Sequence, residues 1–287
     1  NPWLVLLSIA VAVAASYVAL DLTGRVWRDE GSHRRWWLIG GASAMGSGMW
    51  TMHFIGMLAF QLPVSIRYDV GTVALSLAAA VLASGVALST LGHREATLLK
   101  LLRGSIFMGL GIVAMHYTGM VAIRSTATTT YTPWIVTVSV VVAIGVSFVG
   151  LWLVSFLRDQ SGEVLPKKKL IGAIALGFAI PSMHYTAMAS ASFLPDHSMQ
   201  IQHVSGVDIS IVGGLAITMG TFVILGLAIL AAYVNRQHQS LQATENRYHT
   251  LYNSSSDAVM LLNDQGFFDC NPATVALFGC TSREQFC

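Results

Sequence analysis

Residues 104–123 read GSIFMGLGIVAMHYTGMVAI. This stretch contains no Asp, Glu, Lys or Arg, and its twenty residues match the ~20 that a helix needs to cross the ~30 Å hydrocarbon core of a bilayer. The sequence therefore predicts a membrane-spanning helix that carries a histidine, His116, inside it.

The composition of the whole chain agrees with a membrane location. Its 287 residues are 54% hydrophobic and 10% charged, whereas a soluble domain has roughly 25% charged residues. The net charge of +2 is too small for a nucleic-acid-binding surface. Seven apolar runs of similar length are present, at about 3–22, 36–61, 70–91, 104–123, 134–157, 170–194 and 209–234. We therefore expect an all-α membrane protein with seven transmembrane helices.

The basic residues predict the orientation of these helices. Eleven Lys and Arg residues lie in the loops after the first, third and fifth runs, at 23–35, 92–103 and 158–169, and the alternate loops hold only Arg67 and Arg124. Basic loops stay in the cytoplasm. We therefore predict a multi-pass protein of the bacterial inner membrane. Its N-terminus is expected outside the cytoplasm and its C-terminus inside.

An internal repeat accompanies the runs. The second, fourth and sixth runs contain MHFIGM at Met52–Met57, MHYTGM at Met115–Met120 and MHYTAM at Met183–Met188, and their histidines are 63 and 68 residues apart. Each motif lies in the second helix of a pair, so we expect three helix pairs plus a seventh helix. The histidines precede their external loops by about 8 to 11 residues, roughly 12 to 16 Å of helix.

The motifs resemble the MHYT domain, a bacterial integral-membrane sensory domain proposed to bind copper and to sense a diatomic gas or redox state. The resemblance covers residues 3–234. It implies metal ligands at nine positions, which are His53, His116, His184, Met52, Met57, Met115, Met120, Met183 and Met188. Phe54 and Ile55 replace the Tyr and Thr of the motif in the first copy.

The residue chemistry supports a metal independently. A histidine and the methionine four residues later share one helical face, so Met57, Met120 and Met188 can point the same way as their histidines. The methionines directly before the histidines lie about 100° away and would bind by a second approach or serve as packing. Imidazole with thioether favours copper, and zinc does not explain the methionines.

A structural role is the main alternative to a metal site. An intramembrane histidine often hydrogen-bonds to a neighbouring helix, and methionine is common in apolar cores. Three such motifs at one depth favour a shared purpose, because polar groups in lipid are costly. The glycines nearby are predicted to allow close helix packing; they are Gly40, Gly41, Gly46, Gly48, Gly109, Gly111 and Gly119.

The composition changes after Val234. Residues 235–246 are polar, and Val234, Leu241 and Tyr248 are seven apart, which is consistent with a linker helix that pairs with a second copy. Residues 247–287 resemble the start of a PAS domain, an α+β module that is incomplete here. Its strands are predicted at 259–262 and 267–270, joined by a turn at 263–266.

These observations predict a membrane sensor that holds copper in the outer leaflet, detects O2, NO, CO, redox state or the metal itself, and signals to the PAS region. We expect a homodimer through the linker and PAS region and no catalytic residues in these 287. The resemblance implies a diguanylate cyclase, phosphodiesterase or histidine kinase effector in such proteins. Two alternatives remain open: a haem- or copper-dependent membrane redox enzyme, and a metal transporter.

Overall fold

The computed structural model describes residues 1–28, 32–60, 66–91, 97–157, 166–195, 206–264 and 266–286. The chain divides into two compact units, Asn1–Ile229 and Leu230–Cys287. The helices are α1 (Pro2–Arg28), α2 (Ser32–Ala59), α3 (Val70–Leu91), α4 (Leu98–Val121), α5 (Pro133–Leu157), α6 (Pro166–Ser190), α7 (Ile209–Ser254), α8 (Pro272–Leu277) and α9 (Arg283–Phe286). The strands are β1 (Arg67–Tyr68), β2 (Ile123–Arg124), β3 (Ala127–Tyr131), β4 (Ala191–Pro195), β5 (Val207–Asp208), β6 (Met260–Asn263) and β7 (Gly266–Cys270).

Six helices in the described part of the chain, α1 and α3 to α7, are long and apolar enough to cross a membrane. Helix α2 is just as long, with 28 residues, but it is not among the six. Its many Gly, Ser and Trp residues and its His53 make it less apolar than the others. The prediction of long apolar helices is thus confirmed for six runs, and the seventh span, α2, stays a prediction.

The first six helices form a closed ring. Each packs against its neighbour in the chain, and α1 contacts α6 to close the circle. The even-numbered helices α2, α4 and α6 also contact one another, so they form the inner layer of the ring. Helix α7 packs against α2, where the Thr51 hydroxyl donates a hydrogen bond to the Ala216 carbonyl at 3.0 Å.

Glycine allows the close approach of helices at equivalent places in the repeat. A Cβ on Gly46 would lie 2.6 Å from Cα of Val81, and a Cβ on Gly109 would lie 2.7 Å from Cα of Ile144. Real Cβ atoms essentially never come within 3.0 Å of another heavy atom. A side chain at either glycine would therefore push the odd-numbered neighbour helix away, as the sequence predicted for these two positions.

Short strands cover one end of the ring, which we call the strand end. Strand β1 pairs antiparallel with β2 and with β5, and β3 pairs antiparallel with β4. The N-terminal ammonium of Asn1 donates to the Ala59 carbonyl at 3.0 Å, so the N-terminus also lies at this end.

The strands shorten the helices relative to the apolar runs. Helices α2, α4 and α6 end at Ala59, Val121 and Ser190, which are five or six residues after their histidines. At 1.5 Å per residue the histidines lie about 8–9 Å from the helix ends. The predicted 12 to 16 Å of helix after each histidine was therefore too long, because apolar residues such as those of β4 continue the run as strand.

The opposite end of the ring is basic. Arg34, Arg35, Lys100, Arg103, Lys167 and Lys168 lie in the first two turns of the even-numbered helices. Within the same end, the Asp21 carboxylate of α1 accepts from Arg25 at 3.1 Å and forms an ion pair with Lys169 of α6. Of the basic residues used to predict orientation, Arg94 and Arg158 lie outside the described residues.

The C-terminal unit contains the last part of α7 and a β-hairpin. Strands β6 and β7 are antiparallel, and Gly266 opens β7 with a φ of 128°, which glycine adopts more readily than other residues. The predicted strand positions are confirmed to within a residue; the turn residue Gln265 lies outside the described part. Asn271 caps α8 by accepting from the amide of Thr274, and its amide group donates to the Asp257 carbonyl.

Candidate metal centre

The three motif histidines meet at the centre of the ring. Their Nδ1 atoms form a triangle with sides of 3.1, 3.2 and 3.2 Å, and the rings cross nearly at right angles, at 79–90°. His53 and His116 are 0% exposed, and His184 is 1% exposed. Each histidine comes from a different inner helix, so only the closed ring brings them together.

The triangle is electrostatically unfavourable when all three Nδ1 atoms carry lone pairs. A neutral imidazole carries a hydrogen on one nitrogen and a lone pair on the other. If Nδ1 carries the lone pair in each ring, three lone pairs converge on one point. Each Nε2 is also buried without a hydrogen-bond partner, and an unsatisfied buried donor costs about 1–3 kcal/mol. A cation at the centre would turn the converging lone pairs into a favourable arrangement.

The dimensions suit a metal ion. In a triangle with sides of 3.1–3.2 Å each Nδ1 lies about 1.8 Å from the centre, slightly less than the ~2.0–2.1 Å of a typical zinc–histidine bond. Among the residues that the structure describes, these three histidines are the one cluster of His, Cys, Asp or Glu side chains that could hold a metal ion. The donor set is neutral and nitrogen-based, which suits copper or zinc better than magnesium or calcium.

A layer of three methionines lies one helical turn from the histidines, toward the strand end. Met57, Met120 and Met188 form one buried cluster, each four residues after its histidine. The partly buried side chains packed against this cluster are Ile123, Tyr131, Ala191, Phe193 and Ile209. The other three motif methionines, Met52, Met115 and Met183, are 0% exposed.

Tyr131 packs at the outer side of this methionine layer, with its ring 5.7 Å from that of Tyr117. Burial, reinforced by Tyr117, raises the pKa of Tyr131 above its usual value. The phenol is therefore neutral at ordinary pH, and the layer over the histidines carries no charge from it.

Three serines that the sequence interpretation missed support the motif helices. The Tyr117 hydroxyl bonds Ser139 of α5 at 3.0 Å, and the Tyr185 hydroxyl bonds Ser8 of α1 at 3.0 Å. Each serine donates its own hydrogen to the carbonyl three residues earlier, so the tyrosines are the donors. These bonds tie α4 to α5 and α6 to α1.

The first motif has phenylalanine at this position and uses another donor. Trp50 Nε1 donates to Ser76 of α3 at 3.1 Å, and Ser76 donates to the Val73 carbonyl. Ser8, Ser76 and Ser139 are 68 and 63 residues apart and each follows a valine by three residues. This Val-x-x-Ser spacing, the histidine spacing in reverse order, is a sequence signal that could have revealed them.

Helix α7 touches the motif helix α2 close to the site. Thr51, which bonds the Ala216 carbonyl, is two residues before His53. A Cβ on Gly220 would overlap with the Thr51 hydroxyl, and one on Gly213 would overlap with the Leu58 side chain. The glycines of α7 therefore allow it to come close, at these two points, to the helix that carries the first histidine.

Comparison with known proteins agrees with this architecture. The family model described as MHYT, "Bacterial signalling protein N terminal repeat", matches residues 46–104 and 109–166, and a PAS domain model matches residues 246–287. The two matched repeats contain His53 and His116, and the structure places His184 beside them in a third copy of the motif. The family and the apolar helices together indicate an integral membrane protein.

Several curated relatives are signalling proteins. The chain is 44% identical over 193 residues to the bifunctional diguanylate cyclase/cyclic di-GMP phosphodiesterase MucR of Pseudomonas aeruginosa, which covers 67% of the chain and 28% of that protein. It is 36% identical over 269 residues to the cyclic di-GMP phosphodiesterase NbdA of the same organism, and the match covers 94% of the chain and 34% of that protein. It is 33% identical over 271 residues to the signaling protein YkoW of Bacillus subtilis, and the match covers 93% of the chain and 34% of that protein.

The chain thus spans about a third of the length of these relatives. No solved structure matches it.

Proposed function

From the premise that this chain carries MHYT repeats followed by the start of a PAS domain, we propose that it is a membrane sensor that holds a metal ion between His53, His116 and His184. Copper is the favoured ion. The observation that carries the proposal is the triangle of Nδ1 atoms, 3.1–3.2 Å apart and buried. A copper ion bound there would supply a change of oxidation state and a coordination position for O2, NO or CO.

The protein residues have distinct parts in this proposal. The three histidines bind through Nδ1, and their burial excludes bulk water from the ion. Met57, Met120 and Met188 close the strand side of the histidine layer with soft thioether sulfur, which favours copper over zinc as ligand or as lining. The bonds of Tyr117 and Tyr185 to their serines hold two of the motif helices in place.

The site's position in the membrane follows from the charges. We propose that α2 is a seventh span, that the basic end of the ring faces the cytoplasm of a bacterial inner membrane, and that the strand end and the N-terminus face outward. Basic residues near helix ends favour the cytoplasmic side. In this orientation α7 leads to a cytoplasmic C-terminal region, and the histidines lie in the outer leaflet.

The output is proposed from the relatives. MucR is named as a diguanylate cyclase and phosphodiesterase, and NbdA as a phosphodiesterase of cyclic di-GMP. We propose that the membrane domain of this chain regulates an effector of that kind, or a histidine kinase, through α7 and the PAS region. In a homodimer formed by α7 beyond Val234 and by the PAS region, a small movement of α7 would change its position relative to α7 of the second copy.

The alternatives fit the geometry less well. A haem between the histidines would need room for a porphyrin, and Nδ1 atoms 3.1–3.2 Å apart leave none. A transporter would need ionisable groups along a path through both leaflets. Within the described helices of the ring, the charged residues on the basic side of the histidine triangle include Asp21, Arg25 and Lys169, which form ion pairs near the helix ends. These residues do not form a path through both leaflets.

Metal analysis tests the proposal. The chain is purified without oxygen, loaded with Cu(I), desalted and measured for copper per protein. The proposal expects one copper ion in the wild type and none in the variant with His53, His116 and His184 all replaced by Ala. A matched control replaces His249, an exposed histidine of α7, and should keep the copper. A wild type without copper, or a triple variant that retains it, would refute the site.

A further inference from the structure

The outward-facing edge of each imidazole fits against a neighbouring motif helix at a residue without a side chain. A Cβ on Gly119 of α4 would lie 2.5 Å from Nε2 of His53. A Cβ on Gly56 of α2 would overlap with Nε2 of His184 in the same way. Both Nε2 atoms are fully buried and have no hydrogen-bond partner, so the edge of each ring is packed against helix backbone rather than held by a polar group.

The two glycines occupy the same place in the repeat. Gly56 is three residues after His53, and Gly119 is three residues after His116. Around the ring, the histidine of α6 therefore fits against α2, and the histidine of α2 fits against α4. Ala187 is three residues after His184 and is therefore the equivalent position in α6. The same cyclic order would place it opposite His116 of α4.

We propose that Gly56 and Gly119 are positioning residues for the metal centre, which set the Nδ1 positions of His184 and His53 through the opposite edges of their rings. This inference rests on the proposed function. A ring packed against backbone at Nε2 can move only slightly away from the centre, so the glycine notch limits how far apart the three Nδ1 atoms can lie. No hydrogen bond to Nε2 is required for this positioning.

The size of the effect follows from the contact distances. Ordinary van der Waals contacts of a Cβ begin at 3.4 Å. A methyl group at position 119 would therefore move the His53 ring by about 1 Å, whereas a metal site needs its ligands within about 0.5 Å of the binding geometry. Loss of a supporting contact around a metal ligand typically lowers metal affinity about 10- to 100-fold, and we expect a loss in that range.

Ala187 makes the third place different. Gly56 and Gly119 have no side chain, whereas Ala187 has a methyl group. In this cyclic order His116 would therefore face a side chain rather than a backbone notch. The three ligands would then not be equivalent, because His116 would lack a glycine notch. Ala187→Gly removes this methyl without introducing a clash, so it is expected to keep Cu(I) affinity within about threefold.

The test compares alanine at two glycines of one helix. Gly119→Ala and Gly109→Ala introduce the same methyl group in α4, with clashes of 2.5 Å and 2.7 Å. The methyl group at position 119 meets His53, and the one at position 109 meets the backbone of Ile144 in α5. Cu(I) affinity is measured by anaerobic competition with a chromogenic Cu(I) chelator, and the folding of each metal-free variant by thermal unfolding in detergent.

The inference expects Gly119→Ala to bind Cu(I) at least tenfold more weakly than the wild type, and Gly109→Ala to bind within about threefold of it. Gly56→Ala should repeat the loss, which keeps the test available if one variant does not fold. Equal affinities for Gly119→Ala and the wild type would overturn the inference, and so would equal losses in Gly119→Ala and Gly109→Ala. A wild type that binds no Cu(I) would instead refute the proposed function.

Discussion

Thr51 lies at the contact between α2 and α7. A substitution there is expected to change the copper-dependent output without changing copper binding. Thr51 is 0% exposed, and its hydroxyl donates to the Ala216 carbonyl of α7 at 3.0 Å. Thr51→Val keeps the shape of the side chain and removes this bond. The change leaves the three histidines in place, so copper content should equal that of the wild type.

The structure bounds the size of the effect. Hydrogen bonds between helices in membranes contribute on average ~0.6 kcal/mol and at most ~1.7 kcal/mol. If the bond exists in only one of two arrangements of α7, its loss changes their ratio by the same free energy. The expected change in the copper-dependent output is therefore about 3-fold, with an upper limit of about 18-fold.

The assay uses the full-length protein in membranes and measures its effector activity, such as synthesis or hydrolysis of cyclic di-GMP, with and without copper. Thr51→Ser retains the hydroxyl and should respond as the wild type does. Thr218→Val is a second control, because the Thr218 hydroxyl bonds the Gly214 carbonyl within α7 itself. If Thr51→Val, with normal copper content, responds to copper like the wild type, the proposed route through α2 and α7 is wrong.

Two further results are expected. Tyr185→Phe removes the bond to Ser8, which still bonds the Val5 carbonyl, and should lower the free energy of unfolding by about 0.5–1.5 kcal/mol in detergent; an unchanged unfolding transition would contradict the role assigned to this bond. In a cysteine-free background, Thr129→Cys at the strand end should react with an impermeant thiol reagent in intact cells, and Lys168→Cys at the basic end should not; the opposite pattern would invert the proposed orientation.

Repetition in the sequence made much of the architecture predictable. Three histidines in equivalent positions of three helix pairs must lie at one level if the pairs are arranged around one axis, and the structure places them 3.1–3.2 Å apart. The absence of Asp, Glu, Lys and Arg from the apolar runs after the first was enough to identify the helices. What the repeat could not give is the order of the inner helices around the axis.

The contacts that depend on this order were missed for that reason. Tyr117 and Ser139 belong to different helix pairs, and so do Tyr185 and Ser8, so their pairing appears only when the ring is closed. The glycines near the motifs were likewise predicted to allow close helix packing. This prediction holds at Gly109, but at Gly119 the space is filled by an imidazole.

Helix length was the other point that apolar content could not decide. The run at 170–194 predicted a helix to its end, whereas α6 stops at Ser190 and Ala191–Pro195 form β4. A short apolar segment is compatible with either structure. Here, pairing with β3 satisfies the backbone groups of the segment.

X-ray absorption spectroscopy at the copper edge would test the central claim most directly, because it reports which atoms surround the metal. For the wild type loaded with Cu(I), we predict about three nitrogen neighbours at the ~2.0–2.1 Å typical of histidine ligands, with or without a sulfur neighbour from the methionine layer. In His116→Ala, we predict the loss of one nitrogen neighbour. A copper ion bound by sulfur alone, or nitrogen coordination that is unchanged when His116 is removed, would contradict a metal centre built on the histidine triangle.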